Sequence, residues 1–199
     1  METKVETIDN QTNFTKEIRL WHILVGVGLL VLGALFHFMF EWLGSWKPIG
    51  WLFPVNESVW EHTKLTFWVG IILYGIEYGF LRKKVNNFFF GKAIAFYTSL
   101  IIIIFGHYGI VESFGLHAYP TAELIIDLIL FAASIAIQQA LSIWILTKEP
   151  IAENKPLALM IPSIVMIGVL AILMILFTYV TPQIPLFEHM ESGQYGILT

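Results

Sequence analysis

Five stretches of this chain are apolar over lengths sufficient to cross a bilayer: residues 18–43, 57–81, 90–112, 121–147 and 157–181. A spanning helix needs about 20 such residues. Charged residues make up only 13% of the chain, against about 25% in a typical soluble domain. The pattern therefore predicts an all-α, polytopic membrane helical bundle of about five transmembrane helices. No long linker or low-complexity segment interrupts it, so residues 1–199 read as one membrane domain, with 182–199 as a C-terminal cap. The apolar segment after the polar first 17 residues is too long for a signal-peptide core and ends in no small-residue cleavage site, so it is expected to be retained. The chain has no cysteine, which excludes disulfides, thiolate metal sites and thiol catalysis.

Basic residues give the bundle a direction. Lys4, Lys16 and Arg19 precede the first span. Arg82, Lys83, Lys84 and Lys92 flank the turn between the second and third, and Lys148 and Lys155 lie between the fourth and fifth. With five spans these fall on one side, and only Lys47 and Lys64 fall on the other. Positive charge is retained on the cytoplasmic side, so the N-terminus is expected inside and the C-terminus outside. Trp42, Trp46, Trp51 and Trp60 then gather at the outer interface, where amphipathic rings prefer to sit. Acidic and histidine residues also collect toward that end, and their field favours cations. Only His22 lies inside among the histidines.

An ionisable side chain at the centre of a membrane helix costs about 2.5–3.5 kcal/mol on insertion scales, so several gathered together suggest a site. The first span ends in His37-Phe38-Met39-Phe40-Glu41, whose His and Glu are four apart and share a face with Gly26 and Gly33. That face is expected to look into the bundle. The second span opens with Asn56-Glu57-Ser58-Val59-Trp60-Glu61-His62-Thr63-Lys64. Read as helix, Glu57, Glu61 and Lys64 share one face, while His62 lies about 100° from Glu61. Helix-start chemistry explains part of this motif. Either Ser58 and Glu61 form a capping box, or Asn56 caps while Val55 and Trp60 form a hydrophobic staple.

The third span carries His107, Tyr108 and Glu112, with Tyr108 and Glu112 four apart on one face. The fourth carries Glu123, Asp127, Ser134 and Gln138 within about 60° of one another, a polar stripe that should face protein or water. Glu77, between Gly75 and Gly79 near the inner end of span two, is expected to snorkel to Arg82–Lys84. The Asn-x-Ser/Thr matches at Asn10, Asn13 and Asn56 are at chance level.

Phe53-Pro54-Val55-Asn56-Glu57-Ser58-Val59-Trp60-Glu61-His62, His37-Phe38-x-x-Glu41-Trp42, and the tail Ile184-Pro185-Leu186-Phe187…Gly193-x-Tyr195-Gly196-Ile197 together resemble a domain-of-unknown-function family of small bacterial multi-pass membrane proteins. The likeness covers essentially the whole chain and implies a bacterial inner-membrane location. It carries no established activity and no catalytic residues. Membrane hydrolases of the ceramidase and adiponectin-receptor type differ: they have seven spans and an HxxxH ligand pair absent here.

Three functions are compatible with these residues. The first is a metal-dependent membrane hydrolase acting on a lipid-like substrate. His37, Glu41, His62 and His107 would hold a divalent ion such as zinc. Glu57, Glu61 and Lys64 would be catalytic, and Tyr108, Glu112, Glu123 and Asp127 would line the cavity. The second is a small cation- or proton-coupled transporter, in which a homodimer could supply further spans. The third is a non-catalytic partner or ligand-binding protein. The lipid bilayer is the expected partner in all three, and nothing points to nucleic acid.

Overall fold

The computed structural model describes residues 2–152, 155–190 and 192–198, with side chains described from Thr15 onward. The side chains of Lys4, Asn10, Asn13 and Glu191 thus lie outside the described residues. Five long helices follow in chain order: α1 (Glu2–Trp42), α2 (Val59–Leu81), α3 (Phe88–Gly106), α4 (Pro120–Leu146) and α5 (Pro156–Tyr179). Each contains a stretch long and apolar enough to cross a membrane: Thr15–Trp42, Val59–Leu81, Phe88–Glu112, Pro120–Leu146 and Pro156–Tyr179. Among the described residues there is no strand, only an isolated antiparallel bridge between Glu188 and Tyr195.

The boundaries follow local chemistry. Proline opens both α4 and α5, where its missing N–H leaves no bond unmade. Ser58 caps α2, its hydroxyl accepting the Glu61 N–H at 3.3 Å. Asn56 does not cap: its side-chain oxygen accepts the Ser58 N–H at 2.9 Å in the turn before the helix. Of the two helix-start alternatives the Ser58 cap is the one formed, without the reciprocal half of the box, because the Glu61 carboxylate accepts from the Val55 N–H and Lys64 instead of the Ser58 N–H. Because α2 begins at Val59, Glu57 is not on the helix. The expected shared face of Glu57, Glu61 and Lys64 is corrected on this point: only Glu61 and Lys64 share it.

The helix α3 packs most extensively on α4 and also touches α2 and α5, while α1 lies against α2 and α4. Glycine permits the closest approaches. A Cβ on Gly91 would collide with Leu146 Cδ1, and one on Gly33 would lie 2.9 Å from Phe131 of α4. Gly33 and Gly26 do face the bundle, which turns His37 inward one helical turn later. Large apolar side chains such as Leu24, Leu128, Val165 and Ile172 are left facing outward, as lipid contact requires.

After Gly106 the chain continues as a π-helical turn, His107–Glu112. In an α-helix residues five apart would diverge by about 140°. The wider i→i+5 turn brings them back over one another, so His107 and Glu112 meet. Tyr108, four residues before Glu112, stays on the same side of the turn, and both line one cavity. Glu77 is corrected too. It is fully buried and lies 2.6 Å from Lys92 Nζ and 3.2 Å from His22 Nδ1, rather than snorkelling to the Arg82–Lys84 turn.

The tail folds back onto the start of α2. Phe187 is buried, its ring 5.2 Å from both Trp60 and Phe177. Asn56 Nδ2 donates to the Gly196 carbonyl at 2.9 Å. Gly196 adopts a φ of 75° with Thr181 Oγ1 3.1 Å from where a Cβ would stand, so glycine is required there.

Candidate metal site

The motif that opens α2 divides into a structural half and a chemical half. The structural half is Glu61 with Lys64. Glu61 Oε2 accepts from the Val55 N–H at 2.9 Å and from Lys64 Nζ at 2.5 Å. Lys64 Nζ also reaches the Gly50 carbonyl at 2.9 Å, the Phe53 carbonyl at 3.4 Å and Thr178 Oγ1 at 2.6 Å. Both side chains are buried. This pair pins the 44–58 loop and α5 to α2. Lys64 Nζ and Glu61 Oε2 are thus both engaged within the protein.

The chemical half is Glu57 with His62, joined by His37 from the end of α1. His37 Nε2 and His62 Nε2 are 3.1 Å apart. Glu57 Oε2 stands 3.4 Å from the first and 3.3 Å from the second. A tetrahedral ion holding N and O donors at about 2.0–2.1 Å sets them about 3.3 Å apart. The three atoms thus already have the spacing of one face of a zinc-type coordination tetrahedron. His62 Nδ1 lies 2.8 Å from the Ser58 carbonyl. With an ion bound, that contact would keep the ring proton on Nδ1 and leave Nε2 to coordinate, the usual arrangement of a metal-binding histidine. The bonds from His37 and His62 hold the Glu57 carboxyl well below the usual carboxylate range, so it is an anion at neutral pH. The His37, Glu57 and His62 side chains keep 25%, 44% and 27% of their surface exposed, so the fourth position of such an ion is open to a ligand.

His62 reaches this point because Glu57 comes from the loop and His37 from another helix. The 100° between His62 and Glu61 separates the structural half of the motif from the chemical half.

A second group lies at the π-helical turn. His107, Glu112 and His117 each place a donor atom within 4.8 Å of the others. His107 Nδ1 is 3.0 Å from Asp127 Oδ1. His117 is engaged on both nitrogens, with Glu112 at 3.1 Å and Glu123 at 2.7 Å. Burial works against the charged form of His117, but the bonds to Glu112 and Glu123 outweigh it and raise its pKa. This group is closed by its own ion pairs and fits a metal less well than the first. It lines a cavity of about 210 Å³ with Val59, Tyr108, Pro185 and Glu188. Asp127 links the two groups: it bonds His107 and lies within electrostatic reach of His62.

The sequence-selected residues therefore sort into sets. The structure brings together His37, Glu57 and His62, and separately His107, Glu112, Glu123 and Asp127. Tyr108 lines the cavity. Glu41 is exposed and belongs to neither metal-type group among the described residues. His117 is the site residue that sequence reasoning misses, although a histidine five residues after Glu112 and six before Glu123 is a usable signal.

These features define a polytopic helical membrane protein with a histidine–carboxylate cluster at one end of the bundle. The chain belongs to a family of unknown function, DUF6512, whose model matches residues 10–197. No curated protein and no solved structure matches it.

Proposed function

We propose that the protein is a metal-dependent membrane hydrolase, with a zinc-type divalent ion held by His37, Glu57 and His62 and a lipid-like substrate. The observation that supports this reading is the triangle of donor atoms at 3.1, 3.3 and 3.4 Å, with His62 oriented from behind by Ser58. Two histidines and a carboxylate are a donor set used by catalytic zinc, with one position left for water or substrate. Bound there, the ion would polarise a carbonyl or phosphoryl oxygen and make water nucleophilic near neutral pH. Asp127, 33% exposed and set between the two groups, is placed to take a proton. A cavity lined by the second group, with both apolar and polar side chains including Val59, Tyr108 and Glu112, suits an amphiphilic molecule entering from the bilayer. In this reading the site lies at the outer face of a bacterial inner membrane with the N-terminus in the cytoplasm, an orientation that the bias of basic residues supports.

The test is metal analysis of the purified full chain, followed by assay against lipid esters, amides and phosphoesters in mixed micelles. The expected result is one zinc-type ion per chain and hydrolysis of one substrate class, both lost in His62→Ala. A protein that takes up no ion from zinc-replete medium, or a loaded protein that cleaves none of the three classes, would overturn the reading.

A further inference from the structure

At the opposite end of the bundle, near the Arg82–Lys84 turn, three ionisable groups meet inside the span. Glu77 of α2 places Oε2 2.6 Å from Lys92 Nζ of α3 and Oε1 3.2 Å from His22 Nδ1 of α1. All three are at most 2% exposed. Around them, α4 contributes Ser142, whose Oγ is 3.0 Å from Lys92 Nζ and 3.3 Å from His22 Nε2. Tyr74 of α2 presents its ring 4.3 Å from Lys92 Nζ, and its hydroxyl accepts from Gln139. The titratable groups facing Glu77 are thus His22, Tyr74 and Lys92; α4 supplies only neutral polar ones.

The site's composition decides what it can take up. The Lys92 ammonium stands where a metal cation would need to sit, and the Glu77 carboxylate repels an anion. The ligand that such a balanced site can exchange is a proton. Neither Glu77 oxygen has a well-directed hydrogen bond despite its short ion-pair contacts, so both have acceptor directions open to a proton. Lys92 has alternative company already in place: Ser142 Oγ, His22 Nε2 at 3.5 Å and the Tyr74 ring. The ammonium can therefore be held when Glu77 is neutral. A polar seam leads away along α4. Ser142, Gln138 and Ser134 follow one another at four-residue steps on one face, and Ser134 meets Ser99, which meets Thr66 at 3.1 Å. Gln138 is fully buried in this seam, and its amide has no partner on either atom. Buried ionisable residues in membrane helices mark proton relays and ion pathways more often than they serve packing alone.

We propose that Glu77, Lys92 and His22 form a proton-binding site within the membrane span, with Glu77 as the group that takes up the proton. The proton comes from solvent, an O–H bond forms on Glu77, the Glu77–Lys92 pair opens, and Lys92 shifts to Ser142 and Tyr74. Because α1, α2, α3 and α4 all contribute, proton occupancy changes the charge that holds four helices together. This inference does not rest on the metal site.

The test is infrared difference spectroscopy of the full chain reconstituted in liposomes, between acid and alkaline buffer. The expected result is a protonated-carboxyl band that titrates in the wild type, is missing in Glu77→Gln, moves in Glu77→Asp and persists in His62→Ala. Ser142→Ala, which removes one of the waiting partners of Lys92, should shift its midpoint several-fold in proton concentration. If Glu77→Gln does not fold, Glu77→Asp alone decides. Wild-type and Glu77→Gln spectra that coincide, or a band unmoved in Glu77→Asp, would overturn the proposal.

Discussion

His62 uses its two ring nitrogens for different purposes: Nδ1 lies 2.8 Å from the Ser58 carbonyl, and Nε2 faces His37 Nε2 at 3.1 Å. The first contact fixes the ring, and the second makes it one of three convergent donors. Loss of a group that merely supports a metal ligand weakens metal binding about 10–100-fold, and loss of a ligand should exceed that. Isothermal titration with zinc is therefore expected to show at least about a 100-fold weaker site in His62→Ala and His37→Ala. Glu41→Ala should bind as the wild type does, because Glu41 is exposed and takes no part in the donor triangle. Equal loss in Glu41→Ala would place the ion elsewhere.

Glu61 and Lys64 make a different prediction. Removing one partner of a buried ion pair leaves the other charge uncompensated and costs about 3–5 kcal/mol, whereas an apolar pair of similar volume is often neutral or better. Lys64→Met is thus expected to lower the unfolding free energy by about that amount. The double variant Glu61→Leu/Lys64→Met should recover a large part of it. Thermal unfolding in detergent, compared across the two variants, reads this directly. A double variant as damaged as the single would give the pair a role beyond holding the loop and α5.

The five helices are legible in the sequence because span length and hydropathy are properties of the chain alone, and their ends lie close to those read from it except at α1, whose helix runs back to Glu2 through the polar lead. Gathering of charge toward one end is legible for the same reason. Which of those charges meet is not. A regular helix through Asn56–Lys64 would place Glu57 with Glu61, but the helix starts two residues after Glu57, and Glu57 turns to two histidines instead. Likewise the π-helical turn changes the angular step after Gly106, which no apolar spacing announces. Sequence position alone puts Glu77 within reach of a basic turn nearby. Its true partners, Lys92 and His22, sit on other helices 15 and 55 residues away, and only packing reveals them.

Asn56 joins the start of α2 to the tail, through Ser58 N–H on one side of its amide and the Gly196 carbonyl on the other, each at 2.9 Å. Asn56→Ala strips both bonds and leaves a buried N–H unpaired, a loss of about 1–3 kcal/mol. Phe187 remains wedged between Trp60 and Phe177, so the Pro185–Phe187 turn should stay seated while the segment around Gly196 loosens. Limited proteolysis is expected to cut the variant near its C-terminus several times faster than the wild type. An unchanged digestion pattern would mean that Phe187 alone holds the tail.

Two glycines of the bundle should respond to alanine in opposite ways. At Gly91 the new Cβ would collide with Leu146 Cδ1 and lie 3.4 Å from Ile145 Cγ2, where α3 meets the end of α4. Leu146 is itself buried and has little room to withdraw. Overpacking of this kind costs about 1–3 kcal/mol. Gly75, by contrast, has no atom within 4 Å of where a Cβ would stand, and alanine there gains up to about 1 kcal/mol of helix propensity. Unfolding of Gly91→Ala is therefore expected at lower temperature than wild type, and of Gly75→Ala at the same or a higher one. Gly91→Ala/Leu146→Ala should regain stability relative to Gly91→Ala if the clash is the cause. If removing the Leu146 side chain brings no recovery, the close approach of α3 to α4 is set by the backbone rather than by that contact.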